Sequence, residues 1–315
     1  MELNKIYKEP CLETLKKMPN EFIDCVITSP PYWQLRDYGY EGQWGLEPTF
    51  EEYLEHLWSM MDEIYRVLKP SGSVWINLGD TYSSVHTSQT RGKNSTIDDN
   101  TGKSQEIKQV KKTNLPPKCL LLIPHRFAIG CIERGWIVRN DIIWAKRNGM
   151  PESVTDRFSK KHEYIFFMTK NEKYYFDLDS IRDKVKPSSI ERYKYQFSGN
   201  KGDVDRDLIG YCNGDKSHLI DKGKNCGDVA DFWDITTKPN KSSHYATYND
   251  ELLRKPILAG CPEGGIIYDP FMGSGTTAEG CVRTNRNFIG SEMSDVYVEI
   301  FNNRITPMLN QQKLF

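Results

Sequence analysis

The chain has 315 residues, 38% of them hydrophobic and 27% charged, with a formal net charge of −1. That length suits one large α/β domain with a sizeable core plus a smaller lobe and excludes a tail or linker, while near-neutrality leaves any nucleic-acid contact to a local groove. The eight cysteines are scattered with no Cys-x-x-Cys pair, no uncharged apolar run approaches the roughly 18 to 20 residues of a membrane span, and the start Met1-Glu2-Leu3-Asn4-Lys5 lacks a signal-peptide core. The expectation is a cytoplasmic protein with reduced thiols, no metal site and no membrane partner.

In chain order, Leu3 to Tyr7 reads as a short strand and Cys11 to Met18 as a helix stopped by Pro19-Asn20. The apolar run Phe22 to Ile27 reads as a buried strand. Thr49 to Leu68 is a strongly amphipathic helix, with Thr49 as cap and Glu52 three residues on. Lys69-Pro70-Ser71-Gly72 then breaks the chain before a strand over Ser73 to Leu78, giving a β-α-β unit and hence a parallel sheet. Residues from about 82 to 115 are polar and read as a flexible insertion. A helix over Pro124 to Arg134 closed by Gly135, strands over Trp136 to Trp144 and Glu163 to Met168, an irregular lobe over about 180 to 231, and a helix over Asn249 to Ala259 follow. Strands over Gly265 to Tyr268 and Phe288 to Gly290 flank a helix over Ala278 to Val282.

Two segments carry chemistry, Thr28-Ser29-Pro30-Pro31-Tyr32-Trp33 and Asp269-Pro270-Phe271-Met272-Gly273-Ser274-Gly275-Thr276-Thr277. Each follows a predicted strand, and ligands bind at carboxyl ends of strands in open α/β sheets, so the two are expected to share one crevice. Glycines 273 and 275 before a helix permit close backbone approach to a ligand, and Glu292 after the next strand can accept from ribose hydroxyls. Gly273-x-Gly275-x-x-Ala278 with Glu292 also satisfies a loose dinucleotide fingerprint, and a plain packing turn stays open; no lysine follows for a phosphate loop. Asp269 at the strand end suits an ammonium group better than a pyrophosphate.

The Ser29-Pro30-Pro31-Tyr32 turn answers a specific chemical need. An exocyclic amine conjugated to a ring is a poor nucleophile, and acceptors such as the Ser29 hydroxyl and the Pro30 carbonyl can draw on its hydrogens. Two prolines stiffen the turn, and Tyr32 stands ready to stack on a base taken out of a duplex. A strand-ending turn capped by an aromatic is the plainer alternative.

With both motifs in hand, the chain resembles a beta-class DNA amino-methyltransferase, in which the catalytic turn precedes the cofactor loop; Ser29 and Asp269 stand about 240 positions apart. Leu35-Arg36-Asp37-Tyr38-Gly39, Asn77 to Tyr82, Gly135-Trp136 through Lys146, Met150 to Ser153 and His244 to Thr247 fit the same pattern. The resemblance implies a circularly permuted Rossmann-like fold, a mostly parallel twisted sheet with helices on both faces. It divides the chain into a catalytic half at 1–180, a target-recognition region at 181–235 and a cofactor-binding half at 236–315. It further implies S-adenosyl-L-methionine as cofactor, held by Asp269, Phe271, Gly273, Ser274, Gly275, Thr276 and Glu292, with Ser29, Pro30, Pro31 and Tyr32 as the catalytic turn. Double-stranded DNA with one flipped base is the implied partner, alongside a cognate restriction endonuclease; oligomeric state stays open. Ser at position 29 resembles the cytosine-N4 subgroup, with adenine-N6 as the alternative and an inactive nucleic-acid-binding module as a lesser one.

Candidate DNA contacts are Arg182, Lys184, Lys186, Arg192, Tyr193, Lys194 and Tyr195, with Arg147, Arg157 and Lys161 near the pocket. One departure stands out. Where the family carries Gly-Asp before the first helix, with the Asp near the cofactor adenine, this chain has Glu9-Pro10-Cys11, and that contact is not carried over. Cys11 at the start of an amphipathic helix is rejected as a nucleophile.

Overall fold

The computed structural model describes residues 1–83, 113–149, 152–185, 229–237 and 249–312. The chain divides into two compact units, Met1–Tyr175 with Asp231–Phe315, and Phe176–Ala230. Most of the polar stretch at 82–115, and the candidate contacts Lys186, Arg192, Tyr193, Lys194 and Tyr195, lie outside the described residues, as do Met150-Pro151 and His244 to Thr247.

The larger unit is built on one eight-stranded sheet of order β1-β8-β7-β2-β3-β5-β4-β6. Its strands are β1 (Lys5–Tyr7), β2 (Ile23–Thr28), β3 (Leu68–Leu78), β4 (Ile137–Ala145), β5 (His162–Thr169), β6 (Phe232–Asp234), β7 (Ile266–Asp269) and β8 (Asn287–Ser291). Pairing is parallel except on both sides of β5, which runs antiparallel to β3 and β4. All six residues of β2 are buried, the pattern of a central strand covered on both faces.

Period-two alternation sends Val26, Val74 and Ile76 into one core and Cys25, Ile27 and Trp75 into the other. Helices α1 (Cys11–Lys17), α2 (Phe50–Val67) and α3 (Ile123–Glu133) cover the first face. Helix α2 buries Phe50, Tyr53, Leu54, Leu57, Met61 and Ile64, one stripe at helical spacing, and Thr49 caps it by accepting from the Glu52 amide at 3.2 Å. The opposite face carries Leu252 and Ile257 of a helix over Asp250–Gly260, Ala278 and Cys281 of another over Thr276–Arg283, and Phe301 and Ile305 of a third over Asp295–Gln312. In the smaller unit the described helix is α4 (Leu178–Ile181), so these three are α5, α6 and α7.

Three local differences from expectation have clear causes. The break at Lys69 to Gly72 is a bulge within β3: Ile23 pairs with Leu68 and Cys25 with Ser73, so the Pro-Ser-Gly segment is extra chain in a continuing strand. Strand β6 falls just past the irregular lobe and has no sequence signal, because three residues carry no usable period; its neighbour β4 supplies the ladder. Helix α7 also went unread, since its apolar pattern is weak and Pro307 interrupts it.

Candidate active site

Strand β2 leads rightward through α2 to β3, and β7 leads leftward through α6 to β8, so the chain switches direction between β7 and β2. A cavity of about 310 Å³ opens at the carboxyl ends of these two strands, where such a switch leaves a crevice. Its walls bring together Ser29, Pro30, Pro31 and Tyr32 from the first motif with Asp269, Phe271, Gly273, Ser274, Thr276 and Glu292 from the second. Gly275 is not among its lining residues and caps the start of α6.

The floor is a hydrogen-bonded lock. Asp269, buried at the end of β7, accepts from Thr28 Oγ1 at 2.7 Å, Thr277 Oγ1 at 2.6 Å and the Phe271 amide at 3.0 Å. Burial raises its carboxyl to about 6, against the pull of those three donors. By this count one acceptor position is left on this carboxylate, and the residue borders the cavity. Glu292 is the counterpart at the end of β8: its carboxylate accepts from the amides of Gly273 (3.0 Å), Met293 (2.9 Å) and Ser294 (2.8 Å), and burial raises its pKa. The glycine loop is thereby tied to the neighbouring strand before any ligand arrives.

The two glycines differ in what they require. Gly275 has φ +86°, and a Cβ there would come within 2.6 Å of Phe301 on α7. At Gly273 φ is +53°, but a Cβ would meet nothing closer than the Phe271 carbonyl at 3.9 Å, so this face of the loop is open to the cavity. Arg304 of α7 braces the loop from outside, donating to the Ser274 carbonyl at 3.3 Å and to Thr276 Oγ1 at 3.2 Å while paired with Glu279.

Across the cavity, the Pro31 carbonyl accepts from Tyr53 OH at 2.8 Å. The Tyr32 hydroxyl lies 2.9 Å from Asn77 Oδ1 and 2.7 Å from Glu163 Oε2, and its ring edge packs on Gly79. Glu163 in turn pairs with Lys146, whose ammonium sits 4.1 Å from the Trp144 ring centre. By contrast, the Ser29 hydroxyl and the Pro30 carbonyl take no hydrogen bond from the described residues. Both are acceptors left available at the cavity wall.

Glu9 reaches the cavity rim, but its carboxylate is engaged by Thr14 Oγ1 at 3.0 Å and by Lys17. Burial pushes the Cys11 thiol up to about 12, which keeps it protonated and inert at neutral pH. Arg147 pairs with Asp234, Arg157 with Glu152, and Lys161 donates to the Gly149 carbonyl, so each is tied to its own neighbourhood. In the smaller unit Arg182 donates to Asp179 at 2.9 Å and Lys184 is exposed. Sequence reasoning missed Thr28, Thr277, Asn77, Glu163 and Arg304. Thr28 and Thr277 are end residues of the two motifs, which assigned them no role; Arg304 sits on a helix with no motif at all.

A glycine loop and a proline-rich turn that line one cavity at the switch point of an open α/β sheet mark the ligand crevice of a doubly wound fold. Residues 23–303 match the family model described as DNA methylase, and the chain belongs to this family of N6/N4 DNA methyltransferases. It is 35% identical over 307 residues to the Type II methyltransferase M.Cfr9I of Citrobacter freundii, covering 97% of this chain and 89% of that protein. M.SmaI of Serratia marcescens is 35% identical over 301 residues, covering 96% and 90%. Among solved structures, the cytosine-N4-specific PvuII DNA methyltransferase shares the fold, with a TM-score of 0.61 at 17% identity over 98% of this chain and 91% of that one.

Proposed function

We propose that this protein is a site-specific DNA methyltransferase that moves a methyl group from S-adenosyl-L-methionine to the exocyclic N4 amine of a cytosine. The observation that carries the reading is the pair of acceptors without a hydrogen bond from the described residues, Ser29 Oγ and Pro30 O, on residues that line the same cavity as the glycine loop. The kinship with Type II methyltransferases supports a defined duplex site as substrate.

The cavity suits the cofactor on its own terms. The open face at Gly273 admits a ligand against the backbone. Glu292 has lone pairs beyond its three amide bonds for ribose hydroxyls, Asp269 has one for an ammonium group, and Phe271 adds an apolar surface. Ser274 and Thr276 border the same space, and Gly275 sets the helix start behind them. When bound, the cofactor supplies a methyl group on a positively charged sulfur that is already a good leaving group, so the protein's task is alignment. Ser29 and Pro30 accept the two amine hydrogens and turn the nitrogen lone pair toward the donor side. Pro31 keeps the turn stiff, with its own carbonyl held by Tyr53. Tyr32, fixed at its hydroxyl by Asn77 and Glu163, offers a ring face to the flipped base.

Ser29 favours cytosine, because a Ser-Pro-Pro-Tyr turn resembles that of the cytosine-N4 subgroup; adenine-N6 on the same scaffold is the second reading. Base selection along the duplex is assigned to the 176–230 unit, with Arg182 and Lys184 as its described candidates. The test is incubation with methyl-labelled S-adenosylmethionine and mixed-sequence duplex DNA, followed by nucleoside digestion and mass spectrometry. N4-methylcytosine is expected. N6-methyladenine would transfer the assignment to adenine, and unlabelled DNA with cofactor bound would remove DNA as the substrate.

A further inference from the structure

Trp44 borders the cavity from a loop that neither motif contains, and it is held there from three sides. Its ring stacks on His56, with centres 5.4 Å apart and planes 24° apart, and meets Phe271 of the glycine-loop motif at 5.4 Å and 59°. The residue after it, Gly45, packs under the catalytic turn: a Cβ there would lie 2.9 Å from the Tyr32 carbonyl, and its own carbonyl accepts from the Gln34 amide at 2.6 Å.

A single buried carboxylate organises this loop. Glu47, 7% exposed, accepts from the Gly45 amide at 2.9 Å through Oε2 and lies 2.9 Å from His56 Nδ1 through Oε1. Its main-chain carbonyl accepts from Trp33 Nε1 at 2.9 Å and Gln34 Nε2 at 3.0 Å. Removing a carboxylate from water is costly unless its acceptors are matched, and here each match fixes a segment next to the cavity. His56, anchored on α2 and held by Glu47, stacks on the indole. The arrangement fixes one aromatic ring on the cavity wall beside Phe271, and the donor must lie in that cavity if an amine held at Ser29 is to receive its methyl.

We infer that Trp44 is a cofactor-binding residue, forming with Phe271 an aromatic wall against S-adenosylmethionine, and that Glu47 and His56 are the positioning residues that hold it. This rests on the reading above that the cavity takes S-adenosylmethionine. The indole gives a flat, rigid, electron-rich surface suited to a ligand that is part apolar and part cationic.

The experiment is isothermal titration of S-adenosylmethionine into the full-length wild type and the variants W44A, W44F, H56N and E47Q, paired with steady-state kinetics and circular dichroism to verify folding. Loss of the indole in W44A is expected to weaken cofactor binding about tenfold or more, with W44F intermediate. H56N and E47Q, which keep Trp44, are expected to raise KM for the cofactor about three- to tenfold while kcat at saturating cofactor changes less than about twofold. The fluorescence change on cofactor binding should shrink in W44F, a signal that a merely structural role would leave in place. Wild-type affinity in W44A, or the full change retained in W44F, would overturn the assignment of Trp44. Equal losses of kcat and cofactor affinity in H56N and E47Q would overturn the positioning role. A wild type that binds no S-adenosylmethionine would instead overturn the cofactor reading on which this inference rests.

Discussion

Thr28, the last residue of β2, donates a 2.7 Å hydrogen bond to Asp269, the last residue of β7, across 241 positions of sequence. The bond joins the strand that ends in the acceptor turn to the strand that ends in the glycine loop. Whatever binds between the two motifs meets walls whose separation is fixed by this pair. Thr28→Val keeps the shape and removes the donor, so it should lower stability by about 1–3 kcal/mol, as expected for a buried acceptor losing its partner. Urea denaturation measures it. An unchanged midpoint would mean that Thr277 and the Phe271 amide suffice.

Asp269 should also make ligand binding pH-dependent. Its carboxyl titrates at about 6 in the folded protein because burial disfavours the charge. A cationic group in the cavity favours the ionised form, so cofactor affinity should fall as pH drops through about 6, and binding near that pH should release protons. Titration calorimetry in two buffers of different ionisation enthalpy counts those protons. Asp269→Asn should weaken binding and flatten the dependence around pH 6; a dependence that persists there points to Glu292, whose pKa burial also raises.

The glycine loop gives a paired prediction. Gly275→Ala places a methyl 2.6 Å from Phe301 in a left-handed backbone, and should cost about 3 kcal/mol or more in stability. Gly273→Ala meets no such clash and should cost about 1 kcal/mol, while weakening cofactor affinity because its methyl enters the cavity. Thermal melts with and without cofactor separate the two. The reverse ranking would mean that α7 yields easily.

On the acceptor side, Ser29→Ala should lower turnover by about ten- to a hundredfold with cofactor affinity near wild type. Glu163→Gln should act through Tyr32, raising KM for DNA with little effect on cofactor binding, since its carboxylate touches the Tyr32 hydroxyl and not the glycine loop. Full turnover in Ser29→Ala would take the hydroxyl out of the reaction.

Cys11 offers a negative control. Its thiol is buried and pushed up to about 12, so Cys11→Ala should retain methyl transfer, whereas a covalent mechanism through that sulfur would be abolished. A single-turnover assay decides it.

What could be read from the sequence follows the strength of each local signal. Helix α2 announces itself through a long apolar stripe and the Thr49 cap, and β2 through an unbroken apolar run; both stand within a residue or two of where the pattern puts them. The two motifs could be paired because each follows a strand end. The bulge in β3 was misread as a break, since Pro-Ser-Gly has the same chemistry in either setting. The roles of the site's supports were invisible for a different reason: Asn77, Glu163, Arg304 and Glu47 reach it from strands, a helix and a loop far away in sequence, and a lone polar residue carries no sign of its partner. Glu9 shows the converse, a carboxylate in the right place whose neighbours Thr14 and Lys17 have already claimed it.

The edge pairing of β1 with β8 sets a schedule for synthesis. The Phe288 amide donates to Asn4 across 284 positions, so β1 leaves the ribosome long before the strand it pairs with. Loop closure over such a distance is slow and comes late. Until β7 and β8 have emerged, β2 lacks its left-hand neighbour and the acceptor turn has no opposing wall. A nascent chain therefore carries Ser29 and Tyr32 long before it can bind a donor, and activity switches on only when the whole sheet has closed.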